Sequence, residues 1–151
     1  METPNLVLGS YIISIAFRRG VGSTLGWLVV SLFMLHYFIR TIVYSQLMKG
    51  AKPMPLDVFL VGVLFTTVNG LVQTYHHLFE GTIKDEPLSN NPRIVLGLTL
   101  FCFGFLMNQW SDDILRRLRK DESDTKYYIP QGIPFKYLSA PNLVGGEFVF
   151  V

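Results

Sequence analysis

The sequence predicts an all-α bundle built to cross a membrane. Half of its 151 residues are hydrophobic and only 16% are charged, which is too apolar for an ordinary soluble domain of this length. The charges are also unevenly placed. They collect between four charge-free runs, at 3–17, 20–39, 58–79 and 94–111. A helix needs about 20 apolar residues to span a hydrocarbon core, so the last three runs have the required length and the first is short.

Taken in order, the first run precedes Arg18 and Arg19 and lacks the basic leader and small-residue cleavage site of a signal peptide, so it reads as a marginal span. The second leads into "LHYFIRTIVY" and the third into "QTYHHLFE". The fourth passes directly into "NQWSDDILRRLRK". Beyond it, Pro130, Pro134 and Pro141, with Gly132, Gly145 and Gly146, oppose a long helix, and Tyr127, Tyr128, Phe135 and Tyr137 suit an interfacial cap. There is no internal repeat, so residues 1–151 are expected to form a single membrane domain, with a cytosolic cap over 117–151.

The net charge of +2 argues against nucleic acid as a partner. Cys102 is the one cysteine, which excludes an internal disulfide and any multi-cysteine zinc site. His76 and His77 are adjacent and diverge by about 100° on a helix, so no metal site is expected there. Lys49 and Lys52 follow the second run. Arg116, Arg117, Arg119, Lys120 and Lys126 follow the fourth, two spans later and hence on the same side. The positive-inside rule makes that side cytosolic. Arg18 and Arg19 fall on the opposite side and are outnumbered.

Polar residues inside spans need partners or a wet cavity, and here they recur at helical spacing. Tyr37, Arg40 and Tyr44 stand at i, i+3 and i+7. Asn69, Gln73, His76 and His77 stand at i, i+4, i+7 and i+8. Asn108, Asp112, Arg116 and Arg119 stand at offsets 0, 4, 8 and 11. Arg40 and Tyr44 would each also suit interfacial anchoring, and the basic group at 116–120 would suit an ordinary positive-inside flank. Three stripes together predict a hydrated or ligand-filled cavity open to the cytosol.

These residues carry a resemblance. "HYFIRTIVY", "KPMP", the Asn69–Gly70 pair, "NQWSDDILRRLRK" and "YYIPQGIPFKYLSAPN" resemble the steroid 5α-reductase family, in order and over nearly the whole chain. "METP" resembles the Glu-x-Pro element that precedes the family's His-Tyr motif. The resemblance implies a seven-helix bundle in the endoplasmic reticulum membrane that holds NADPH among its helices on the cytosolic side. It also implies reduction of a 3-oxo-Δ4-steroid to the 5α-3-oxosteroid.

It further implies roles for particular residues. Glu2 and Tyr37 match the catalytic pair at the steroid C3 ketone. Hydride addition at C5 drives charge onto that oxygen, and a neutral phenol can stabilise it. Arg40, Tyr44, Asn108, Asp112, Arg119 and Asn142 match cofactor-binding positions, and Arg116 joins them from the helical stripe, since guanidiniums fit phosphate forks.

The sequence departs from the family pattern at Ile133 and Pro134. It also has an extra glycine before Glu147, and it lacks the family's first helix and last two. On that ground residues 1–151 by themselves are expected to bind NADPH weakly and not to turn over steroid. The alternatives are a catalytically silent membrane fragment and a related polyprenol or enoyl-CoA reductase.

Overall fold

The computed structural model describes residues 2–48, 54–80, 87, 90–118 and 128–147, and every regular element among them is helical. Four are long: α1 (Thr3–Arg19), α2 (Thr24–Leu47), α3 (Leu56–Glu80) and α4 (Pro92–Leu118). Two are short: α5 (Ile133–Tyr137) and α6 (Pro141–Glu147). Of the expected spans, α2, α3 and α4 run for 24, 25 and 27 residues and are long and apolar enough to cross a membrane. α1 has 17 residues, about 25 Å at 1.5 Å per residue, which is less than a hydrocarbon core about 30 Å thick.

Helix ends follow local chemistry. Pro4 sits in the first turn of α1, where a missing N–H is tolerated. Gly20 closes that helix at φ 61°, a left-handed conformation that favours glycine, and its N–H returns to the carbonyls of Ala16 and Phe17. Ser23 caps α2 by accepting from the Gly26 N–H at 3.0 Å. α2 then continues beyond its expected end, through a π-helical stretch at Ile39–Tyr44. α4 likewise does not stop at Ser111 but carries the charged sequence to Leu118, because "DDILRRL" contains good helix formers and no breaker.

The chain packs as two compact units, one of residues 1–46 with 53–86 and one of residues 47–52 with 87–151. In the first, α1 packs chiefly on α3. Its buried face is Asn5, Gly9, Ile12 and Ala16, spaced by four, three and four residues. The facing stripe on α3 is Thr66, Gly70 and Thr74, spaced by four. Small side chains at this spacing let two helix backbones approach closely, as membrane helices commonly do. A Cβ on Gly70 would lie 3.1 Å from the Asn5 Cα and would also run into the Asn5 side chain. Ile12, Ala16, Val30 and Leu78 form an apolar cluster at one end of this unit, flanked by Val21, Trp27 and Met34. Tyr37, Asn69, Glu2 and Arg40 form a separate polar group in the same unit. On α3, Leu56, Val61, Leu64, Phe65 and Val72 are exposed, as suits a surface in contact with lipid rather than water.

In the second unit α4 packs mainly on α6. Gly104, Asn108, Ser111 and Asp112 are its buried positions. Gly145 lies so close that a Cβ there would be 2.7 Å from the Gly104 carbonyl oxygen and 2.8 Å from the Asn108 nitrogen.

Candidate functional site

The polar group of the first unit centres on Tyr37, only 4% exposed. Its ring is held by Phe33, 4.8 Å away and tilted, and by His36, 5.3 Å away and edge-on. Its hydroxyl oxygen accepts a hydrogen bond from Asn69 Nδ2 of α3 at 3.1 Å. Glu2, Arg40 and Asn5 are the other groups that act on this hydroxyl. Glu2 itself is engaged by Arg40, whose Nε donates to both carboxylate oxygens at 2.9 and 3.1 Å. The Arg40 guanidinium also lies 5.6 Å from the centre of the Tyr44 ring. Three helices thus bring Glu2, Tyr37, Asn69 and Arg40 together. Within that group the direct contact to the phenol comes from Asn69, while the carboxylate contacts the guanidinium.

The π-helical stretch explains part of this arrangement. Its hydrogen bonds reach one residue further than in an α-helix, so the 100° periodicity that put Tyr37, Arg40 and Tyr44 on one face no longer applies beyond Phe38. Arg40 and Tyr44 remain neighbours across one turn. Thr41, in the same stretch, has a buried hydroxyl with no hydrogen-bond partner among the described residues.

The stripe on α4 behaves differently along its length. Asn108 is 2% and Asp112 4% exposed. Asn108 Nδ2 donates to the main-chain oxygen of Asn142 at 2.7 Å, so two residues expected in one cofactor site meet through a side chain and a carbonyl. Arg116 turns to Asp113, the next acidic residue, rather than following Asp112 inward. Arg117 pairs with the same carboxylate at 2.7 Å. Arg119 lies outside the described residues, as do Lys49, Lys52, Lys120, Lys126 and Tyr127.

Along α3 the expected polar stripe divides. Asn69 reaches Tyr37, but Gln73 and His77 pair with each other at 3.2 Å, and His76 pairs with Glu80 at 2.6 Å. Among the described residues no group of three or more His, Cys, Asp or Glu is placed to hold a metal. For a nucleotide cofactor the donor chemistry does fit. The guanidinium of Arg40, the phenol of Tyr44 and the orphaned Thr41 hydroxyl occupy one stretch of helix and suit phosphate or carboxamide oxygens.

Sequence reasoning missed Asn5. It is 0% exposed, and neither side-chain amide atom has a hydrogen-bond partner among the described residues. The available signal was its position three residues after Glu2, on the same helical face. Also unforeseen is an apolar cavity of about 580 Å³ in the second unit, lined by α4 residues including Phe103, Met107 and Trp110 and by Pro134 and Tyr137 of α5.

A helical bundle with three helices able to cross a membrane, and a buried polar cluster among its helices, defines a multi-pass membrane protein. Comparison with known proteins narrows this class. A family model described as 3-oxo-5-alpha-steroid 4-dehydrogenase matches residues 52–151. The human 3-oxo-5-alpha-steroid 4-dehydrogenase 1 is 35% identical over 144 residues, covering 95% of this chain and 55% of that protein. The human 3-oxo-5-alpha-steroid 4-dehydrogenase 2 is 42% identical over 120 residues, covering 80% and 46%. The Bos taurus type 1 protein is 40% identical over 118 residues, covering 78% and 45%. The chain belongs to the 3-oxo-5-alpha-steroid 4-dehydrogenase family, the steroid 5α-reductases. It spans about half the length of the curated relatives it matches.

Proposed function

We propose that this protein serves NADPH-dependent reduction of the Δ4 double bond of 3-oxo steroids to 5α-3-oxosteroids, in the endoplasmic reticulum membrane with the cofactor on the cytosolic side. The observation that carries the reading is the buried Tyr37 hydroxyl, held by Asn69 beside the Glu2–Arg40 pair, in a chain of this family. Alignments to the relatives run through both packing units, which supports treating 1–151 as one membrane domain.

The reaction adds hydride at C5 and a proton at C4. Negative charge passes through the C3 oxygen between those events, so a donor to that oxygen lowers the barrier. Tyr37 is suited to it: a phenol has an ordinary pKa near 10 and remains protonated at pH 7. Little water competes at a buried hydroxyl. The Glu2 carboxyl, which accepts from the Arg40 guanidinium, is proposed to act with Tyr37 at the C3 ketone by holding the phenol in position. Bound NADPH supplies the hydride. Arg40, Tyr44 and Thr41 on α2 are proposed to contact it, and Asn108, Asp112, Arg116, Arg119 and Asn142 are proposed as cofactor-binding on the resemblance alone.

The test is reconstitution in liposomes with NADPH and testosterone. Protein carrying the seven helices implied by the resemblance should yield the 5α-reduced product, and Tyr37→Phe should lower turnover by about 10²-fold or more, the scale of losing one oxyanion donor. Residues 1–151 by themselves should bind without reducing. Turnover that survives Tyr37→Phe would remove the phenol from the mechanism, and absence of 5α product from the seven-helix protein would refute the reading.

A further inference from the structure

Two faces of α4 have different surroundings. Asn108 and its buried neighbours face α6, where Gly145 approaches closely. Phe103, Leu106 and Trp110 stand at i, i+3 and i+7 on another face, and with Tyr137 of α5 they line the apolar cavity of about 580 Å³. All three are more than half exposed, so the cavity opens sideways, into lipid if α4 spans. From Phe103 to Trp110 this wall rises about 10 Å at 1.5 Å per residue, within the roughly 15 Å depth of one leaflet. Among the described lining residues only the Trp110 indole and the Tyr137 hydroxyl offer an N–H or O–H group, which suits a hydrocarbon chain better than a polar solute. Positive charge stands at one end of the wall. Arg117 lies two turns after Trp110 on the same face, with its side chain 78% exposed, and it shares the Asp113 carboxylate with Arg116, so two guanidiniums meet one carboxylate and a net positive charge remains. The Lys136 ammonium lies 5.5 Å from the centre of the Tyr137 ring, which is itself part of the cavity wall.

We propose that this cavity binds an anionic phospholipid of the cytosolic leaflet, one acyl chain lying along Phe103, Leu106 and Trp110 and the headgroup phosphate facing Lys136 and Arg117. A zwitterionic lipid would make the apolar contact without the net charge, and a soluble phosphate the charge contact without the chain. The inference rests on the membrane orientation and is independent of the steroid reading.

Trp110 reports on the site directly. The other tryptophan of the chain is Trp27, so in a Trp27→Phe background Trp110 fluorescence is read alone while brominated phosphatidylserine or brominated phosphatidylcholine is titrated into phosphatidylcholine nanodiscs. Brominated phosphatidylserine should quench at about fivefold lower mole fraction, the worth of one cationic group near a lipid phosphate. Lys136→Gln with Arg117→Gln should abolish that preference while leaving the phosphatidylcholine curve unchanged, and high salt should reduce it. Soluble glycerophosphoserine should not relieve the quenching. Native mass spectrometry of the unsubstituted chain and of the seven-helix protein gives the same comparison without the Trp27 change, as phosphatidylserine retained over phosphatidylcholine. Equal quenching and equal retention of the two lipids would overturn the assignment, as would a preference that survives the double substitution. Relief by glycerophosphoserine would reduce the site to a phosphate contact without a chain. Phosphatidylserine retained by residues 1–151 but not by the seven-helix protein would mean that protein, not lipid, covers this face, and would overturn it too.

Discussion

Tyr37 and Asn69 lie 32 residues apart in sequence and 3.1 Å apart in space, so each is the other's test. Tyr37→Phe leaves the Asn69 amide without its acceptor, and Asn69→Leu leaves the phenol oxygen without its donor. A double-mutant cycle between them should show a coupling of about 0.5–1.5 kcal/mol in unfolding free energy, typical of one neutral hydrogen bond. A coupling near zero would mean that the contact does not persist in the membrane. A second expectation concerns space rather than polarity. Gly70→Ala places a methyl group against the backbone and side chain of Asn5, and backbone cannot yield as a flexible side chain would. Destabilisation by about 1–3 kcal/mol is expected, measured as a lowered unfolding temperature in detergent. Gly9→Ala should be milder, since what its Cβ meets first is the sulfur of Met34, and methionine readjusts easily.

At the scale of elements, the end of α4 shows how neighbouring charges redirect a stripe. Helical spacing puts Asp112 and Arg116 one turn apart, yet Arg116 and Arg117 both turn to Asp113. A solvent-exposed pair of this kind contributes little to stability. It does reduce the positive charge offered to an anion. Asp113→Asn removes the shared carboxylate, so under the proposed cofactor role the affinity for NADPH should rise by roughly two- to fivefold, with a steeper dependence on salt. Titration by nucleotide fluorescence would measure it, and unchanged affinity would place Arg116 outside the cofactor's reach.

At the scale of the whole molecule, the orientation in the bilayer follows from loop charge. The two basic segments lie two spans apart, and the proposed cytosolic placement of both gives a direct expectation. A glycosylation acceptor inserted beside Pro87 should be modified in microsomes, and one beside Ala51 should not. The reverse pattern would invert the topology. Glycan on both sites would mean that α3 does not cross at all.

The helices, their order and their apolar character were legible in the sequence, because burial in lipid demands long charge-free runs and capping chemistry is local. So were the family and Tyr37, Arg40 and Asn108 as polar residues in apolar settings, since a membrane makes such residues conspicuous. The choice of partner was not. Periodicity placed Asn69, Gln73 and His77 on one stripe, but α1 packs on Thr66, Gly70 and Thr74, because small residues allow the closer approach. That packing sends Asn69 to Tyr37 and leaves Gln73 and His77 to each other. The continuation of α2 through a π-helical stretch altered the phase of Arg40 and Tyr44, and no residue type announces such a stretch. Glu2 could be read as the phenol's neighbour. That it pairs with Arg40, and that Asn5 stands buried with its amide unsatisfied, depends on three helices meeting, which only the tertiary structure decides.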